Sequence, residues 1–118
     1  MVKRRGLYYL MWSEGDWANS TYLAAYGVAD NPLGPFEYRG KILENHPEIA
    51  LGAGHHSVLQ LPGAPDDWVI CYHRRPLDAI SPHHRVTCID RLAFNDDGSI
   101  APVTLTHEGI PAREATAS

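Results

Sequence analysis

The sequence has 118 residues, of which 44% are hydrophobic and 20% are charged, and its formal net charge is −4. These values indicate one globular domain with a modest core and argue against a nucleic-acid-binding surface, which would be basic. No apolar run approaches the length of a membrane span. Residues 1–7 contain no apolar signal-peptide region, so a cytoplasmic location is the default expectation.

Seven short strands are predicted, each bounded by glycine, proline or acidic turn residues. The fifth has nearly continuous hydrophobicity, which indicates a strand buried on both faces. No helix of useful length is predicted, and the chain ends in a flexible tail. The predicted strands cover residues 7–13, 21–29, 36–43, 55–61, 68–73, 85–94 and 100–106.

The order of these strands predicts an all-β, antiparallel fold with a weak internal repeat. Residues 55–106 form one complete four-stranded unit, and residues 7–43 supply three strands of another. Four-stranded sheets repeated at this spacing are typical of β-propeller blades. We therefore predict a partial propeller over residues 1–107, with an incomplete blade at 1–44, a complete blade at 52–106 and a tail at 108–118.

Two adjacent imidazoles stand out, in the run from Gly52 to Val58. His55 and His56 follow Gly54 directly at the predicted mouth of a strand. An imidazole there can hold a metal ion, a water or a sugar hydroxyl, although a surface turn with two solvated histidines has the same pattern. A zinc site is disfavoured because no pair of histidines has the helical i, i+4 spacing or a Cys-x-x-Cys partner. The other histidines considered are His73, His83, His84 and His107.

An acidic loop and two cysteines are weaker candidates. Glu14 and Asp16 flank a glycine beside Trp17, so the loop can bind a sugar by stacking and by carboxylate hydrogen bonds, although such loops are common. Cys71 and Cys88 lie in apolar stretches that could face each other on neighbouring strands. We expect them to be buried core thiols rather than a disulfide.

Several motifs in sequence order resemble glycoside hydrolase family 43. They are KRRGLYYLMWSEGDW near the start, the Gly-Pro-Phe turn at Gly34, the Gly-His-His-Ser strand mouth, the Tyr-His-Arg-Arg run and the Arg-Val-Thr strand at Arg85. Members of this family are five-bladed β-propeller enzymes, mostly β-xylosidases, α-L-arabinofuranosidases and arabinanases. The resemblance implies hydrolysis of pentose glycosides from plant polysaccharide, with a pentose-containing carbohydrate as the partner.

The resemblance also implies roles for individual residues. His55 would lie at the central axis, near a bound ion (calcium or another) or a water beneath the sugar. Arg85 would contact substrate, although an ion pair with Asp78 or Asp90 is an equal alternative. Trp17 is the third expected substrate-binding residue, an expectation that comes from the acidic loop and not from the resemblance. The match covers the C-terminal portion of such an enzyme, and none of the family's three catalytic acids has a counterpart.

Three classes of function therefore remain open. The chain is a glycosidase-family fragment with part of a pentose pocket, an active glycosidase assembled across subunits, or a non-catalytic carbohydrate-binding or structural module. The blade faces, and the sheet edge at residues 7–13, predict a homo-oligomer, most simply a two-fold dimer. Carboxylates that would serve a shared catalytic site are Glu14, Asp16, Glu48 and Asp90.

Overall fold

The protein is all-β, as the sequence predicts, in a computed structural model that describes residues 1–16, 18, 21–81 and 83–112. Its strands are Val2–Arg4 (β1), Leu7–Glu14 (β2), Leu23–Ala29 (β3), Glu37–Leu43 (β4), Ala50–Gln60 (β5), Trp68–Pro76 (β6) and Val86–Leu92 (β7). They form two antiparallel sheets, with the orders β1-β2-β3-β4 and β5-β6-β7. Among the described residues there is no helix long and apolar enough to cross a membrane.

The first sheet has four strands, one more than the sequence predicts. β1 pairs with β2 so that Arg4 lies opposite Leu7, and Arg5 and Gly6 form the turn between them. Both turn residues have positive φ, 52° and 81°, as two-residue hairpin turns require. The predicted open edge at residues 7–13 is therefore wrong for residues 7–9, which β1 covers. The pattern missed β1 because this short strand is mostly charged, as edge strands often are.

The second sheet begins earlier than predicted. β5 starts at Ala50, so Gly54 and His55 lie inside the strand and not at its mouth. The pairing of β5 with β6 shifts register twice, between Leu51 and Gly54 and between Gly54 and Ser57. Such bulges redirect side chains, and they obscure the period-two pattern from which a strand is predicted.

Residues 100–106 were predicted as a seventh strand, and this prediction is wrong. Ile100 makes a single bridge to Phe94, and no further strand pairing follows. Pro102 has no N–H to donate, and the N–H of Val103 donates to Ile42 O at 2.8 Å in the first sheet. The N–H of Ile100 likewise donates to Tyr26 Oη at 2.8 Å. This segment therefore leaves the second sheet and joins it to the first.

Phe94, directly after β7, is the centre of aromatic contacts between the sheets. Its ring meets Tyr9 of the first sheet edge-on, with 5.1 Å between centroids, and Trp68 of the second at 5.4 Å. The Arg4 guanidinium lies 4.4 Å from the centre of the Phe94 ring. Aromatic pairs of this kind add about 0.5–1.5 kcal/mol each beyond burial, so this cluster stabilises the packing of the two sheets.

Each sheet packs one face on this core and presents apolar side chains on the other. Leu10 and Tyr38 share the outer face of the first sheet, and Tyr38 is 55% exposed. Leu59 and Ile89 lie on the outer face of the second, 58% and 40% exposed. Propeller blades bury both faces against neighbouring blades, so exposed apolar residues on these faces agree with a blade-like fold.

The cysteines are free thiols, as predicted, but the prediction that both are buried is wrong. Both are half-buried. Cys71 lies opposite Ile89, whereas Cys88 lies opposite Tyr72, so the two thiols point to opposite faces of the sheet and cannot form a disulfide. Cys88 packs against the core, and Cys71 lies on the outer face.

Candidate functional site

The predicted acidic loop begins where β2 ends. Glu14 Oε1 accepts a hydrogen bond from Trp12 Nε1 at 2.8 Å, and Asp16 Oδ1 accepts one from the N–H of Ala18 at 2.9 Å. Both carboxylates are exposed and serve local structure. Trp17, the predicted stacking residue, lies outside the described residues.

His55 occupies an unusual backbone conformation at the second bulge of β5. Its φ is +49°, in the left-handed region that residues other than glycine seldom adopt. The backbone N–H of His55 donates to Ser13 Oγ at 3.4 Å, which links β5 to the end of β2. Strained residues of this kind cost of order 1–3 kcal/mol and often occur at functional sites, so the conformation supports His55 as a site residue.

A column of three rings connects the two sheets at this point. Tyr22, just before β3, stacks on His73 of β6 with 5.9 Å between centroids and an interplanar angle of 13°. His55 lies on the same imidazole, 5.7 Å away and tilted by 32°. Gly54 permits the stack, because a Cβ there would lie 2.3 Å from Tyr22 Cε2. We call Tyr22, His73 and His55 the ring stack.

Two arginines lie beside the ring stack. The pairing of β6 with β7 ends at Arg74 and Val86, and the next residues outward, Arg75 and Arg85, are close enough for their charges to interact. Burial lowers the pKa of Arg85, and the positive charge of Arg75 lowers it further. Burial likewise lowers the pKa of His73, as do the charges of Arg85 and His55. These shifts show several cationic groups close together.

The sequence did not single out Arg75 or Tyr22, and it considered His73 only as a metal ligand. Arg75 Nη1 donates to Ala18 O at 3.1 Å, which ties β6 to the loop that follows β2. The neighbouring Arg74 points to the other face and donates to Thr106 O at 2.7 Å. The sequence did contain a signal for this pair of arginines, because Arg75 and Arg85 flank the loop between two strands that were predicted to be neighbours.

An open groove of about 340 Å³ runs along the outer face of β5 to β7 from the ring stack. Its walls include His56, the second imidazole of the Gly-His-His pattern. Burial lowers the pKa of His56, with a further contribution from His55, and its Nδ1 is buried with no hydrogen-bond partner among the described residues. The groove is lined by His55, His56, Ser57, Cys71, Tyr72, His73 and Thr87.

Asp90 is not part of this site. Its buried carboxylate accepts hydrogen bonds from Tyr72 Oη at 2.5 Å and from Thr106 Oγ1 at 2.6 Å. Desolvation and the bond to Asp90 raise the pKa of Tyr72 well above its usual value. The network around Asp90 is therefore structural, and the pairing of Arg85 with Asp78 or Asp90 stays a prediction.

Glu48, another predicted carboxylate, is exposed in the turn before β5, where its N–H donates to His46 Nδ1 at 3.1 Å. The described residues contain no group of three or more histidine, cysteine, aspartate or glutamate side chains that could hold a metal ion. His55 would supply at most one ligand to an ion here. The positive groups beside it would also oppose a divalent cation.

Comparison with known proteins decides the family. The model for glycosyl hydrolases family 43 matches residues 1–100. The chain belongs to this family. A β-D-galactofuranosidase of Aspergillus niger is 44% identical over 114 residues, which are 96% of this chain and 33% of that protein. The chain thus spans about a third of the length of this curated relative.

Solved structures of family 43 enzymes match almost the whole chain. A thermostable family 43 glycoside hydrolase is 30% identical with a TM-score of 0.78, covering 98% of this chain and 37% of its own. A β-xylosidase/α-arabinofuranosidase from a compost microbial metagenome was solved with xylotriose in a calcium-free form. It is 37% identical to this chain with a TM-score of 0.68, and the match covers 86% of this chain and 28% of that enzyme. These enzymes are five-bladed β-propellers, and this chain corresponds to a part of that fold.

Proposed function

We propose that this chain supplies part of a family 43 sugar-binding pocket for a pentose-containing carbohydrate, with His55, Arg85 and Trp17 contacting the sugar. The ring stack carries the proposal, because it brings His55 to one place with residues from both sheets. Aromatic and imidazole rings offer flat faces to a sugar, and arginine offers several donors to its hydroxyls. The names of the relatives, a xylosidase/arabinofuranosidase among them, support a glycoside as the ligand class.

We further propose that the chain alone does not hydrolyse glycosides. Cleavage needs a protonated carboxylic acid at the leaving oxygen and a second carboxylate across the sugar, about 5–9.5 Å apart according to the stereochemistry. The described carboxylates that were considered do not supply such a pair. Glu14 and Asp16 are bound locally, and Asp90 is buried in its own network. Without the acid and the second carboxylate, this mechanism is not available at any rate.

The test separates binding from turnover. The purified chain is assayed with aryl β-xyloside, α-arabinofuranoside and β-galactofuranoside, and xylose and arabinose binding is measured by NMR titration. We expect binding without turnover, with weaker binding in His55→Ala. Arg91→Gln is the matched control, because Arg91 is an exposed arginine that pairs with Asp67 away from the ring stack.

Other outcomes identify the alternative functions. Turnover lost in Glu14→Ala or Asp16→Ala would show a glycosidase whose site is assembled across subunits. Turnover that survives both substitutions would contradict every catalytic candidate in this chain. Absence of both binding and turnover would leave a structural module and overturn the proposal.

We also propose that the chain self-associates, most simply as a two-fold dimer. Leu10, Tyr38, Leu59 and Ile89 present apolar surface on the two outer faces. Covering a few hundred Å² of such surface contributes several kcal/mol at about 25 cal/mol per Å². Size-exclusion chromatography with light scattering at low micromolar concentration should give twice the 13.1 kDa chain mass, and a well-folded monomer would contradict this proposal.

The ion expected near His55 stays a prediction. Since the described residues supply no complete ligand set, calcium bound here would require oxygen ligands from elsewhere. Calorimetric titration of the chain with calcium, with His55→Ala as the comparison, measures whether any binding depends on this imidazole.

A further inference from the structure

Arg75, Arg85 and His73 place three cationic or protonatable groups on the outer face of the second sheet. Arg75 and His73 are two residues apart on β6 and so share a face. Arg85 directly precedes β7, and its charge interacts with that of Arg75. We call these three residues the cationic cluster. Positive charges on neighbouring strands attract an anion to the surface between them.

Arg75 differs in its partners from four of the other described arginines. Four described arginines lie within 4 Å of a carboxylate: Arg4, Arg5, Arg39 and Arg91. No described carboxylate pairs with Arg75, whose Nη1 donates to Ala18 O at 3.1 Å. Its Nε and the Nδ1 of His73 are buried, and no described residue is a hydrogen-bond partner of either atom. Buried unsatisfied donors cost about 1–3 kcal/mol each, and an oxygen anion would satisfy them.

We propose that the cationic cluster binds a carboxylate carried by a sugar, so that the ligand of this site is a hexuronate. This inference rests on the proposed sugar-binding function and deepens it. The planar fork of arginine matches the two oxygens of a carboxylate. The ring stack lies against the same imidazole, His73, and offers its faces to the sugar ring. A single hexuronate would then contact the cationic cluster with its carboxylate and the ring stack with its sugar ring.

The test uses a pair of sugars that differ in a single group. D-Xylose has the ring of D-glucuronate without its carboxylate. The full-length chain is titrated with each sugar by NMR at low ionic strength. We expect glucuronate to bind at least about ten-fold more tightly than xylose, and the difference to shrink as salt screens the charges.

Variants test whether the cationic cluster causes the tighter binding of glucuronate over xylose. Arg75→Gln should lose about ten-fold in glucuronate affinity and keep its xylose affinity, while the control Arg91→Gln should change neither. If Arg75→Gln does not fold, by circular dichroism, Arg75→Lys replaces it. Because lysine keeps the charge and loses the fork, it should lose part of the preference. A glucuronate affinity that neither Arg75 variant lowers would overturn the proposal.

Remaining outcomes distinguish this inference from the proposed function. Xylose binding as tight as glucuronate binding overturns the inference and leaves the pentose pocket standing. Glucuronate binding without detectable xylose binding supports the inference. Acetate or inorganic phosphate binding as tightly as glucuronate overturns it, because the cluster would then recognise an anion without its sugar. Failure of both sugars overturns both proposals.

Discussion

The contact between Gly54 and Tyr22 joins the stability of the fold to the geometry of the site, and Gly54→Ala tests it. A Cβ on Gly54 would lie 2.3, 2.6 and 3.0 Å from three atoms of the Tyr22 ring. Ordinary contacts of this kind are 3.4–4 Å, so the ring must move by about 1 Å or more. Tyr22 is only 9% exposed and is stacked on His73, which leaves it little room.

The expected cost follows from two opposing effects. Overpacking a filled site costs about 1–3 kcal/mol. Alanine also lowers the conformational entropy of the unfolded chain, which stabilises the fold by about 0.4–1 kcal/mol. We therefore expect the free energy of unfolding to fall by about 1–2 kcal/mol. With a urea m-value of about 1–3 kcal/mol/M, the midpoint falls by roughly 0.3–2 M, and xylose binding weakens because the ring stack is displaced.

The assay is urea unfolding followed by circular dichroism, with Tyr22→Leu as the second substitution of a double-mutant cycle. Leucine removes the ring with which the new methyl group collides, so Gly54→Ala should cost less than half as much in that background. A midpoint within about 0.2 M of the parent chain, or an equal loss in both backgrounds, would refute the reasoning.

Two further predictions concern buried polar groups. Asp90→Asn should destabilise the chain by about 2–4 kcal/mol in urea unfolding, because the carboxylate that accepts bonds from Tyr72 and Thr106 is buried. An equally stable variant would show that this network contributes nothing. The lowered pKa of His56 means that the unfolded chain binds a proton more readily, so stability should fall as the pH drops below about 6.5. His56→Gln should reduce that fall, and an unchanged pH dependence of the unfolding midpoint would contradict the assignment.

Most strands of the fold could be predicted from the sequence. Apolar and aromatic runs between turn residues gave six strands of the structure, including the central strand β6, whose first three residues are all buried. The two errors have local causes. The charged β1 has no apolar pattern to detect. The segment after Phe94 is apolar like a strand, but the N–H groups of Ile100 and Val103 donate to Tyr26 and Ile42 of the first sheet, and it forms no strand ladder with β7.

The candidate site was harder to predict because it depends on contacts between distant residues. The Gly-His-His pattern identified His55, and the family resemblance identified Arg85. Neither source pointed to Tyr22, which precedes His73 by 51 positions in the sequence and meets it only when the two sheets pack. The bulge at Gly54 also redirects His55 in a way that a regular strand would not.

The two ends of the interface between the sheets differ in whether they affect stability alone or both stability and sugar binding. At one end, the Phe94 ring packs against Tyr9 and Trp68, and no ring contact among the described residues joins it to the ring stack. Loss of its ring should therefore lower stability through packing, with sugar affinity intact in the molecules that remain folded. At the other end, Tyr22 is both a packing residue and a wall of the site. A substitution there must change stability and binding together, because the same ring position sets both.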